Sequence, residues 1–161
     1  MPPHRRYLLV ETTISVVINS ALSLFFAWVV FGKLEVIELA GPAGLAMDFL
    51  PQTFMVALMS TLVPTLLTRK RVRQSRIAAL ATAPMSLPRN VLLRALLVAV
   101  VAVLVLGGAA MLLTPMLVAG PMPQRSAYAL KVAYGALISV PITLLALRCA
   151  LADVSPRESQ R

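Results

Sequence analysis

Glu11, Ser15, Asn19 and Ser23 stand four residues apart inside one long apolar run. In a helix that spacing keeps them near one face, with a slow drift around the axis. A carboxylate, two hydroxyls and a carboxamide are costly within a bilayer, so such a row is a hypothesis of function. Two chemistries suit it. One is a polar path or ligand site, in which Glu11, away from water, binds a proton or cation and Asn19 offers hydrogen bonds. The other is a packing seam, because helices meet in lipid through small and polar side chains. Thr12, Thr13 and Ser20 broaden the polar side. Glu11 stands close enough to the basic start of the run to be expected in an ion pair with Arg5 or Arg6.

Other residues suggest simpler chemistry. Pro64 and Pro141 lie inside apolar runs, where a proline removes a backbone hydrogen bond and kinks a helix. The carbonyls they free belong to Ser60 and Leu137, and a side chain such as Asn19 could meet them. Arg69, Lys70, Arg71, Arg73 and Arg76 form a basic stretch. Anionic lipid headgroups are its expected contact, at about 1 kcal/mol per charge near the surface. Nucleic acid is not expected, since no aromatic side chain is interleaved for base stacking. Asp48 is expected to cap the second helix. Cys149 is the one cysteine and His4 the one histidine, so neither a disulfide nor a metal site has the residues it needs. No His-Glu cluster, nucleophile elbow or phosphate loop is present. No catalytic residue, cofactor or metal is therefore assigned, and the chain is not expected to be an enzyme.

The elements that must position these groups follow from composition. The 161 residues are 59% hydrophobic and 13% charged, whereas a soluble domain is roughly half apolar and about a quarter charged. That excess has to face lipid. Four apolar runs, at about 7–31, 50–68, 91–117 and 127–152, approach or reach the roughly 20 residues that cross a bilayer. Helices satisfy their own backbone there, and the alternation of a β-barrel is missing. The expectation is an all-α integral membrane four-helix bundle forming a single transmembrane domain over 1–161. The first run is too long for a signal-peptide core and no small-x-small site follows it, so it is expected to stay as a span. Gly107-Gly108-Ala109-Ala110 offers a smooth patch in a third span that is otherwise aliphatic and expected to face lipid.

Charge gives orientation. Arg5 and Arg6 precede the first run; Arg69, Lys70, Arg71, Arg73, Arg76, Arg89 and Arg94 surround the middle loop; Arg148, Arg157 and Arg161 end the chain. Against these twelve stand only Lys33, Arg125 and Lys131. The positive-inside bias then puts both termini and the basic loop in the cytoplasm, across a bacterial-type inner membrane. Residues 32–49 form a long outer loop mixing charge with bulky apolar residues. It is expected either to lie in the interface or to extend the two helices around the Gly41-Pro42 turn. Residues 78–90 hold Pro84 and Pro88 and are expected to be irregular.

The second and fourth runs resemble each other. Ala57-Leu58-Met59-Ser60 matches Ala136-Leu137-Ile138-Ser139, and Gly41-Pro42 matches Gly120-Pro121. A parallel duplication of a two-span unit is one source of such likeness. Val63, Pro64, Leu66 and Leu67, with Val140, Pro141, Leu144 and Leu145, carry a further resemblance. The unit of span, short loop and Val-Pro-x-x-Leu-Leu span looks like a family of small two-helix bacterial membrane proteins of unknown function. The likeness covers 12–72, and 92–149 loosely. It implies topology and nothing of mechanism.

These readings lead to a small polytopic inner-membrane protein. It is expected to act as a structural or accessory subunit through helix contacts, with another membrane protein or a copy of itself as partner. The alternative is a small proton- or cation-coupled transporter or permease using Glu11 and Asn19. The topology is open to test with cysteines at Gln74 and Gln124 in a Cys149→Ala background. In intact cells an impermeant thiol reagent should label position 124 and leave 74 untouched; the reverse pattern rejects the orientation.

Overall fold

In the computed structural model, residues 3–78, 80 and 87–153 are described. Pro84, Arg157 and Arg161 lie outside them. Four helices make the bundle: α1 Pro3–Phe31, α2 Leu45–Arg73, α3 Val91–Leu117 and α4 Gln124–Asp153. All four are long and apolar enough to cross a membrane, the make-up of a multi-pass membrane protein. α2 and α4 outrun the apolar stretches at 50–68 and 127–152. Apolarity marks only the part of a helix that suits hydrocarbon, while backbone bonding continues into the polar flanks.

α2 and α4 form the central pair, α1 rests on α4, and α3 rests on α2. α1 meets α2 only sparsely, which leaves a lengthwise groove between them. Contacts along the central pair are partly between matching positions. Gln52 donates to the carbonyl of Lys131 at 2.8 Å, and Val72 packs with Leu151. Each pair is separated along the chain by the same interval as Gly41 and Gly120, which both carry positive φ, 96° and 77°.

α3 contains a wide π turn at Val103–Gly107. Gly107 there faces α2, and a Cβ on it would stand 3.2 Å from Thr53 Oγ1 and 3.3 Å from Leu50 Cδ2. The smooth patch is therefore used on one side only. Most other large residues of α3, such as Leu92, Leu104 and Leu112, are exposed.

The loop 32–49 takes one of its expected forms in part: Gly41 turns with a φ of 96° and residues 45–49 extend α2, while α1 stops at Phe31 and is not lengthened. Val36–Ile37 (β1) pairs antiparallel with Met122–Pro123 (β2), Val36 opposite Pro123 and Ile37 opposite Met122. Ile37 and Leu39 then drop into a core with Phe31, Leu45, Phe49 and Ala127. Burying those apolar side chains against the helix ends removes more surface from water than an interfacial segment can, so the loop becomes a lid on the bundle.

At the basic end, Asn90 caps α3 by accepting from the amides of Leu92 at 3.0 Å and Leu93 at 3.2 Å. Arg94 is 1% exposed. Its Nη1 and Nη2 each stand 2.7 Å from Asp153, and its Nε donates to the Pro88 carbonyl at 2.9 Å. Arg69 joins the same carboxylate at 2.7 Å. The first turn of α3 is thus clamped to the last turn of α4. Asp153→Ala would leave a buried guanidinium without its counter-charge, so it should lower unfolding free energy in detergent by about 3–5 kcal/mol. Adding Arg94→Met should recover most of the loss, as removing both charges does elsewhere.

Candidate functional site between α1 and α2

The polar face of α1 turns inward. Ser15 shares a hydrogen bond with Thr143 of α4 at 2.7 Å. Asn19 Nδ2 donates to the Ser15 carbonyl at 2.8 Å and to Ser60 Oγ of α2 at 2.9 Å. Gln52 Nε2, also on α2, donates to Ser23 Oγ at 3.1 Å as well as to the Lys131 carbonyl. Gly135 lies where Ser23 and Gln52 meet, and a Cβ there would strike the Ser23 hydroxyl. Glycine is what lets α1 sit this close to α4.

An ion pair ends the seam at each side. Near the β1–β2 lid, Lys131 is 1% exposed and pairs with Asp48, with its ammonium 5.3 Å from the Phe31 ring centre. At the basic end, Glu11 pairs with Arg71. The Arg71 guanidinium lies 5.5 Å from the Tyr7 ring centre, and Tyr7 Oη stands 2.8 Å from Thr68 Oγ1.

Several expectations need correction. Glu11 pairs across to α2, and not with Arg5 or Arg6. At 3.6 residues per turn those arginines point roughly 120–140° away from Glu11 around the helix, and both are exposed. Asp48 is not the cap of α2: Gly44 holds that position, and Asp48 sits in the first turn. Pro64 and Pro141 stand inside α2 and α4, the setting in which a kink is expected of them. Asn19 does reach Ser60, but at its hydroxyl, not at the carbonyl that Pro64 frees. Within the basic stretch, Arg69 is taken by Asp153 and Arg71 by Glu11. Lys70, Arg73 and Arg76 remain exposed.

Gln52, Lys131, Arg94 and Asp153 were missed as interior groups. Lys131 carried the same signal as Glu11, a charge inside an apolar run. It shares a face with Gly135, Ile138 and Ile142, all of them buried. Its place near the start of its run equally suits an outer-side charge.

Beside this seam the groove holds a cavity of about 410 Å³, bordered by Asn19, Ser23, Gln52, Asp48 and Lys131 among apolar walls. A smaller chamber of about 110 Å³ borders Glu11, Ser15 and Pro64, and shares Asn19, Leu22 and Met59 with the first. A hollow of about 370 Å³ beside Gly44 continues from Asp48 toward the lid. The carboxamide oxygens of Asn19 and Gln52 are buried without a donor, as are the hydroxyls of Thr61 and Thr65. Among the described residues no group of three His, Cys, Asp or Glu is placed to hold a metal ion.

What these observations define is a helical multi-pass membrane protein with a polar interior seam. Compared with protein-family models, curated proteins and solved structures, the chain finds no match.

The seam also carries stability. Asn19→Leu loses the bond to Ser60 and should cost about 1 kcal/mol, the usual scale for an interhelical polar contact in lipid. Thermal unfolding in detergent measures this, and an unchanged midpoint would show that the bond contributes nothing.

Proposed function

We propose that this chain is a small permease or carrier of a bacterial-type inner membrane, with both termini cytoplasmic, and that its path follows the seam between α1 and α2. The supporting observation is the cavity itself, which lies against hydrogen-bonding groups between two terminal ion pairs. A seam that served packing alone would be filled, because protein interiors are close-packed and voids forfeit contact energy. Leaving carboxamide oxygens unanswered beside such a void costs more still. The pairs Glu11–Arg71 and Asp48–Lys131 then act as the two closures of the path.

A second reading keeps the chain as a structural or accessory subunit. It draws on the exposed aliphatic face of α3, which a partner helix could cover as well as lipid can. The polar row on α1 no longer argues for a partner, because its bonds are made within the chain. In either reading Lys70, Arg73 and Arg76 are the side chains of that basic stretch left exposed to meet anionic headgroups.

Ser23→Cys in a Cys149→Ala background separates the two. A small cationic thiol reagent in the aqueous phase should modify position 23 in membranes, while Leu97→Cys on the exposed face of α3 stays unreactive. An unreactive Cys at position 23 would mean a dry seam and favour the subunit reading.

A further inference from the structure

We infer that α1 and α2 hold one acyl chain of an anionic phospholipid in the groove between them, with its headgroup on Lys70 and Arg73. This goes beyond the path proposed above, and it stands whether or not the seam behind the groove conducts.

The first argument is one of alignment. Met59 and Val63 border the smaller chamber between α1 and α2. Leu66, Lys70 and Arg73 continue the same face of α2, because the five residues follow one another at three- and four-residue steps. Leu66, Lys70 and Arg73 border a hollow of about 350 Å³ at the basic end, together with Arg69 and Gln74. Arg69 is committed to Asp153. Lys70 and Arg73 are exposed, and neither has an ion-pair partner among the described residues. Two uncommitted cations thus stand in line with the groove.

The second argument concerns the walls. Ile14, Ile18 and Leu22 of α1 and Val63 and Leu67 of α2 border the smaller chamber, and all five are exposed. α1 meets α2 only sparsely, so neither helix covers the apolar face of the other. Glu11 is the one ionisable residue bordering this chamber, and Arg71 neutralises it. An apolar chain lying here therefore meets no bare charge. It covers surface that the two helices leave open.

The third argument concerns length. One leaflet is half of a hydrocarbon core of roughly 30 Å. At about 1.5 Å of rise per residue, that depth runs about ten residues along α2 from Lys70, to the level of Ser60. Met59, next to Ser60, borders both the smaller chamber and the central cavity. A chain whose headgroup rests on Lys70 and Arg73 thus spans the smaller chamber and ends at the near edge of the central one. The part bordered by Asp48 and Lys131 lies beyond that reach. A zwitterionic headgroup would bring its own cation to the same two side chains, so a net negative headgroup is the better match.

Photolabelling in nanodiscs tests the site. Discs of phosphatidylcholine receive a trace of either phosphatidylglycerol or phosphatidylcholine that carries a diazirine at the end of one acyl chain. After irradiation, mass spectrometry reads label on the peptides that contain Leu22 and Met59. Phosphatidylglycerol should label them roughly thirtyfold more, which corresponds to about 2 kcal/mol for two basic side chains at the surface. Lys70→Gln with Arg73→Gln should bring it down to the phosphatidylcholine level. Arg5→Gln with Arg6→Gln removes two charges that point away from Glu11, and should leave the labelling unchanged. Ile18→Trp fills the groove from its exposed rim and should abolish label at both peptides while thermal unfolding stays unchanged. Leu97→Trp on the exposed face of α3 should have no effect. Equal labelling by the two lipids would make the groove an unselective slot and overturn the inference. An equal loss from the two double substitutions would do the same, since it would show only a general attraction to positive charge. Absence of label at both peptides in folded protein, as when a helix of a second copy covers the groove, would also overturn it.

Discussion

Hydrocarbon offers a polar side chain no hydrogen bond, so the polar row turned into this bundle draws most of its partners from other parts of the same chain. That constraint explains why α1, with its row of hydroxyl, carboxamide and carboxylate groups, rests on α4 and reaches toward α2. Ser15 meets Thr143, Asn19 meets Ser60, and Ser23 meets Gln52. α3 has almost no such groups in its middle, and it packs through Ala95, Ala99, Ala102 and Gly107 instead. The two flanking helices are thus held by different forces. α1 is held by directed bonds at fixed heights, and α3 by close approach of small residues against α2. Directed bonds tolerate a gap beside them; close approach does not. The groove is accordingly found along α1.

Much of this was legible from residue types alone. The number of spans came from run lengths, because crossing a bilayer sets a length that sequence shows directly. The inward row on α1 came from its four-residue spacing. What stayed hidden was pairing at a distance. Glu11 and Arg71 stand on different helices, and the nearer arginines in sequence were the wrong candidates. Lys131 and Asp48 each looked like a surface charge near a helix end, and only the packing of α2 on α4 shows them to be one buried unit. Arg94 looked like a loop charge, since its partner lies just past the last apolar residue of α4. Local spacing reports which face a residue occupies. It does not report which helix will stand opposite.

The lid shows the same limit for backbone. Gly41 was readable as a turn, and its φ of 96° agrees. The strand pair beyond it was not readable, because two residues of extended chain carry no periodicity. Their bonding joins the α1–α2 connection to the α3–α4 connection. The half of the molecule that ends with α2 is therefore tied to the other half at the lid as well as along the helices.

The clamp between Arg94 and Asp153 has a further consequence, for the order in which the chain is made. The two residues are 59 positions apart. At a synthesis rate of about 5–20 residues per second, Arg94 waits roughly 3–12 s for its carboxylate. During that interval α3 stands at the membrane with a guanidinium that has no counter-charge on α4. Arrival of the last turn of α4 ends that state and docks both helices at once. A chain cut short before Asp153 lacks both the charge that neutralises Arg94 and the contact that docks the first turn of α3 on α4.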